Sequence, residues 1–180
     1  MAATRTPLYP GLVSPRLVFP SIHMSMENIG NSGVGAGATW PAANLAIYHP
    51  FALPSDALLT GVKFNCTSGN SAGRNFDLGI FDASGVKLFS SGATLVAAGV
   101  NTWAPNQWLQ GGVPYYLGMY ANNGSLQFWR KSSSVVFERS NGILQEATGA
   151  ANLPATATFA AVTSNNYVPV VFFTFGNVSP

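Results

Sequence analysis

Apolar residues alternate with a period of two along much of this chain, and no stretch of useful length repeats with the period of a helix. "ALLTGVKFNCT" sets Leu59, Gly61, Lys63 and Asn65 on one face against Leu58, Thr60, Val62, Phe64 and Cys66 on the other. "FDLGIFD" sets Phe76, Leu78 and Ile80 against Asp77, Gly79 and Phe81. "LAIYHPF", "VKLF", "SVVFE" and "NYVPVVFFTF" read as further strands. "VPYYLGMYA" and "SLQFWR" flank "NNG", which reads as a hairpin because Asn and Gly tolerate positive φ. "TLVAAGVNTWAPNQWLQGG" reads as a long connection, and within the irregular stretch 138–166 "GILQEA" offers at most one helical turn.

Short strands separated by Gly/Asn/Ser turns are the pattern of an antiparallel sandwich or barrel, and about eight of them predict an all-β jelly-roll β-sandwich. Residues 1–43 stand apart. Pro7, Pro10, Pro15 and Pro20 exclude a helix there, and "NIGNSGVGAGATWPAA" reads as a Gly-rich loop. The expected organisation is an extended proline-rich N-terminal arm with its loop over 1–43 and a sandwich domain over 44–180. Leu8, Tyr9, Leu12, Val13, Leu17, Val18 and Phe19 make the arm too apolar to float free, so it is expected to pack on its own sandwich or on a partner.

Charge narrows the function. Only 8% of the 180 residues are charged, against about 25% in an average soluble domain. Twelve Phe, six Tyr and four Trp argue against disorder, and no apolar run reaches the length of a membrane helix. A surface built from Ser, Thr, Asn, Gln and Gly resists association poorly, and reads as surface to be covered by partners. A net charge of +2 without a basic block gives weak attraction to nucleic acid. The single cysteine, Cys66, lies in a strand pattern and is expected buried and inert. Prolines occupy the N-terminal stretch where a signal peptide needs an apolar run, so synthesis and folding in a cytoplasm are expected.

The acids are few enough to weigh singly. Asp82 lies where a strand meets "DASG"; it is expected to accept backbone hydrogen bonds in a turn whose left-handed residue is Gly85. Asp77 is expected to face solvent or an interface, paired with a base such as Lys63. Five residues apart on a regular strand, the two carboxylates emerge on opposite faces and form neither a metal site nor an acid/base pair. Glu27, Asp56, Glu138 and Glu146 show no pairing that a glycosidase needs. His23 and His49 lie in no Cys/His metal spacing; His49, before Pro50, reads as an edge or structural residue. No GxSxG context accompanies a serine. No catalytic residue, cofactor or metal is therefore assigned. Phe128 and Trp129 beside Arg130 and Lys131 read first as a strand with a core residue and a basic end, with sugar contact second and nucleic acid third. Trp103, Trp108 and Trp129 are the candidate glycan contacts if they are exposed.

"FDLGIFDASGVKLFSSG", followed by "LQGGVPYYLGMYANNG", resembles a module recurrent in structural proteins of tailed bacteriophages. The matching residues are Gly79, Ile80, Phe81, Asp82 and Gly85, then Pro114, Tyr115, Tyr116 and Leu117, within roughly 57–130. The resemblance implies a jelly roll on a virion: a non-enzymatic capsid decoration (cement) protein that binds the major capsid protein and its own copies as a dimer or trimer. The alternative is a carbohydrate-binding tail or fibre module. A hydrolase stands third, motivated only by scattered acids.

Overall fold

The alternation closes into two packed antiparallel sheets in the computed structural model, which describes residues 35–67, 74–131, 134–149, 152–163 and 168–176. The arm residues Leu8, Tyr9, Leu12, Val13, Leu17, Val18 and Phe19, with His23 and Glu27, lie outside the described residues.

The first sheet is built around three long strands, β2 (Leu45–Ala52), β4 (Asn75–Asp82) and β9 (Pro114–Ala121). β9 runs between the other two, with Ile47 and Leu78 both opposite Met119. β11 (Leu144–Ala147) and β12 (Ala160–Ala161) extend it beyond β2; β5 (Lys87–Ser90) and β6 (Thr94–Leu95) pair with β4 at the other side. The second sheet is centred on β3 (Ala57–Cys66). β14 (Val171–Phe175) and β10 (Gln127–Lys131) flank one side of it, β7 (Gly99–Trp103) and β8 (Gln107–Leu109) the other. β1 (Gly35–Thr39) and β13 (Val168–Pro169) pair with β10.

Aromatic side chains fill the space between the sheets. Phe76 packs at 4.8 Å from both Phe64 and Phe128, and Trp40 meets Phe128 edge-on at 5.7 Å. The Trp40 indole N–H donates to the Leu45 carbonyl at 2.9 Å, so the largest buried side chain carries no unpaired donor. Phe51 lies against Tyr115 and Phe173 further along, and Phe89 meets Trp103 across the sheets at 5.9 Å, closing that side of the sandwich. Each such ring contributes roughly 1.5–3 kcal/mol by burial. Cys66 is fully buried in this core, as expected.

Several expectations are corrected. The faces of "ALLTGVKFNCT" switch midway: Ala57 and Leu59 point into the core, and so do Val62, Phe64 and Cys66. The cause is an irregularity at Thr60. Thr174 pairs with Gly61 and Phe175 with Leu59, leaving Thr60 as the extra residue of a bulge. "NNG" is not a hairpin, because β9 and β10 belong to different sheets; it turns a corner between layers, and none of its residues has positive φ. The loop reading of "GAGAT" gives way to strand β1, and the long connection holds β6, β7 and β8.

The two readings around residue 140 are exchanged. "SVVFE" opens the helix α1 (Val135–Ser140), and "LQEA" is strand β11, paired with β2 from Leu144↔Tyr48 to Ala147↔Leu45. Gly142 ends the helix at φ 69°: its N–H donates to the Arg139 carbonyl at 3.1 Å, and Ile143 N–H donates to the Glu138 carbonyl at 3.0 Å. This is the glycine stop that terminates many helices, and Ile143 beyond it is buried in the core between the sheets. It outweighs the strand preference of Val135 and Val136.

Candidate functional site

The carboxylates come first, since any hydrolytic chemistry would rest on them. Asp82 does what its turn requires. Its Oδ1 accepts from Ser84 N–H at 2.9 Å, Ser84 Oγ–H at 2.7 Å and Val86 N–H at 2.9 Å, and Gly85 stands at φ 88°. The Ser84 hydroxyl and these amides hold the Asp82 carboxyl below the usual carboxylate range.

Asp77 departs from expectation. It does point away from the inter-sheet core, but the segment 152–159 crosses over it and leaves it fully buried. Oδ2 accepts the Leu153 N–H at 3.0 Å, and Oδ1 accepts the Ser91 hydroxyl at 3.0 Å. Burial raises its pKa, against the opposing pull of those hydrogen bonds and of Lys87. Lys63 is exposed on the other sheet and makes no pair with it.

The crossing segment acts as a strap over the outer face of the first sheet. Lys87 Nζ donates to the Leu153 carbonyl at 2.8 Å, Lys87 N–H to Ala155 at 2.9 Å, and Ala157 N–H to Gly85 at 2.8 Å. Thr158 N–H donates to Glu146 Oε2 at 3.0 Å, and the same oxygen accepts the Tyr48 hydroxyl at 3.0 Å. Burial, then the Glu146 charge and hydrogen bond, push the Tyr48 hydroxyl well above its ordinary pKa. Tyr120, also raised chiefly by burial, donates to Asn44 Oδ1 at 2.8 Å. Leu153, Ala157 and Phe159 form a second apolar cluster with Ala46, Tyr48, Phe81, Tyr116 and Tyr120. The paired residues Gly79 and Gly118 make room for it: a Cβ on Gly118 would lie 2.7 Å from Phe81 Cε2, and one on Gly79 would lie 2.9 Å from Leu153 Cδ1.

The remaining acids are dispersed. Asp56 accepts the Gly111 N–H at 2.8 Å on the surface, and Glu138 is buried on α1. Among the described residues no three His, Cys, Asp or Glu side chains converge on a common point. His49 follows the edge-or-structural reading: it lies in β2 opposite Leu117 of β9, one residue past the last pair with β11, on the side of Ile47 and Phe51, and is buried with Nε2 lacking a hydrogen-bond partner among the described residues. Burial alone lowers its pKa to about 4. Pro50 follows where β11 has already ended, so its missing N–H costs the sheet no bond on that side.

The tryptophans do not form one platform. Trp103 turns inward onto Phe89, whereas Trp108 is 57% exposed opposite Leu58. Trp129 alternates with buried Phe128 and is half-buried. Phe128 pairs with Cys66, which sets Trp129 level with Asn65, so Trp108 and Trp129 are separated by most of β3, roughly 23 Å at strand rise. Phe128 as core with Arg130 and Lys131 at the strand end follows the structural reading of "LQFWRKSS". The residues of the strap carry no alternation, so its signal in the sequence is confined to the glycines of "LGIF" and "LGMY".

No protein-family model matches the chain, and comparison with curated proteins and with solved structures finds no match.

Proposed function

We propose that this chain is a non-enzymatic structural protein of a tailed-phage virion: a jelly-roll sandwich with an N-terminal arm that decorates the head shell. Its partners in this reading are the major capsid protein and its own copies, after synthesis in the host cytoplasm. The observation that carries the reading is the use made of the acids. Asp77, Asp82 and Glu146 each hold backbone amides of the fold, and Asp56 holds another, so four of the five described carboxylates serve shape. The surface left for contact is poor in charge. The two halves of the phage-like pattern also form one unit, since Ile80, Phe81 and Asp82 pair with Leu117, Tyr116 and Tyr115. The test is co-sedimentation of the purified protein with undecorated heads. Saturable binding and a raised disruption temperature of the heads are expected; no binding overturns the proposal. The carbohydrate-binding alternative rests on Trp108 alone, because Trp103 is turned inward and Trp129 is distant. Glycan-array hits abolished by Trp108→Ala would favour it instead.

A further inference from the structure

No Asp, Glu, Lys, Arg or His lies between Lys87 and Arg130. That uncharged run includes β7 and β8, which pair with β3 and, among the described residues, carry no strand on their second edge. Open edges are usually blunted by charge, proline or bulges. Here Pro105 sits in the gap between β7 and β8, where Asn106 has φ 50°, and all five residues of β7 are left unguarded. Val100 is 69% exposed and Trp108 57% exposed along this edge. Trp103 is fixed beneath it by Phe89. The Asn101 side chain ties down the preceding turn through Ala97 N–H at 2.9 Å and the Ala97 carbonyl at 2.9 Å, so the edge is held in strand geometry.

We propose that the β7–β8 edge is a self-association surface, taken by the same edge of a second copy of this chain. The choice of occupant follows from charge. A two-fold axis sets β7 antiparallel to its own copy, so each side chain meets the same short stretch again. Any charge on that stretch would face its own sign, which is destabilising across paired strands. A strand of Gly99, Val100, Asn101, Thr102 and Trp103 carries none. Pairing supplies main-chain hydrogen bonds to the open edge and covers the exposed Val100. The inference does not rest on the head-shell reading and requires no capsid.

Sedimentation velocity of the full chain over a concentration series tests it, alongside Val100→Lys, Thr102→Lys and Val136→Lys. Val136 is 77% exposed on α1, away from the edge, and adds the same charge. Melting curves confirm that each variant is folded. The expected result is a monomer–dimer equilibrium for the parent and for Val136→Lys, with Val100→Lys and Thr102→Lys weakened about tenfold or more. A parent that stays monomeric overturns the proposal. So do edge variants that dimerise like the parent, or a Val136→Lys chain that loses the dimer equally.

Discussion

The Asp77 carboxylate and the Leu153 amide form the joint that fastens the strap: Oδ2 accepts that N–H at 3.0 Å in a fully buried setting. Asp77→Ala leaves the Leu153 N–H short of an acceptor, while the Ser91 hydroxyl keeps the Gly92 carbonyl at 3.0 Å, and the loss costs about 1–3 kcal/mol. Asp77→Asn keeps an oxygen for Leu153 and removes a charge that burial disfavours, so it is expected to retain most of the stability. Urea unfolding at neutral pH distinguishes the two; equal losses would show that the charge itself holds the strap.

His49 sets an acid limit on the fold. Its folded pKa is about 4, against 6.5 when exposed. Between those values the unfolded chain takes up a proton that the folded chain refuses, so stability falls as pH falls from 6.5 towards 4. At about 1.4 kcal/mol per unit, the full loss is about 3 kcal/mol. Asp77 acts with the opposite sign: its raised pKa contributes stability that is complete below 3.8 and lost as pH rises through its folded value. His49→Leu is therefore expected to flatten the decline between pH 7 and pH 5, read from urea midpoints. An unchanged decline would place the titrating group elsewhere.

Gly118 is a packing position. A Cβ there would stand 2.7 Å from Phe81 Cε2 and 3.1 Å from Tyr48 Cε1, both buried rings. Gly118→Ala is expected to force those rings apart and lower stability by about 1–3 kcal/mol. A Tyr48→Phe background separates this effect from the Glu146 hydrogen bond. Calorimetry showing no fall in melting temperature would mean that the second cluster tolerates repacking.

What the sequence made legible was local. Phe76, Leu78 and Ile80 alternate into the core as read, and the "DASG" turn is where Asp82 and Gly85 place it. What escaped depends on partners distant along the chain. Asp77 faces the side that alternation assigns it, but its cover comes from Leu153, 76 residues later, in a segment without period. One extra residue at Thr60 reverses the phase of β3, and no composition announces it. "NNG" marks a change of direction, but whether the strands it joins share a sheet is decided by the rest of the fold. The same holds for Trp103 and Trp108: the bulge in β3 and the break between β7 and β8 separate an inward ring from an outward one.

That separation gives the last prediction. Trp40 is buried at 1% exposure, Trp103 packs on Phe89, and Trp129 is half-buried, so Trp108 at 57% is the indole most open to solvent. Acrylamide quenching of the native protein should be carried mainly by Trp108, and Trp108→Phe should remove the most quenchable part of the emission. The substitution should leave stability within about 0.5 kcal/mol, since the ring is largely in water. Quenching that is independent of Trp108 would mean that this ring is covered within the monomer, and would remove it from the glycan-contact surface.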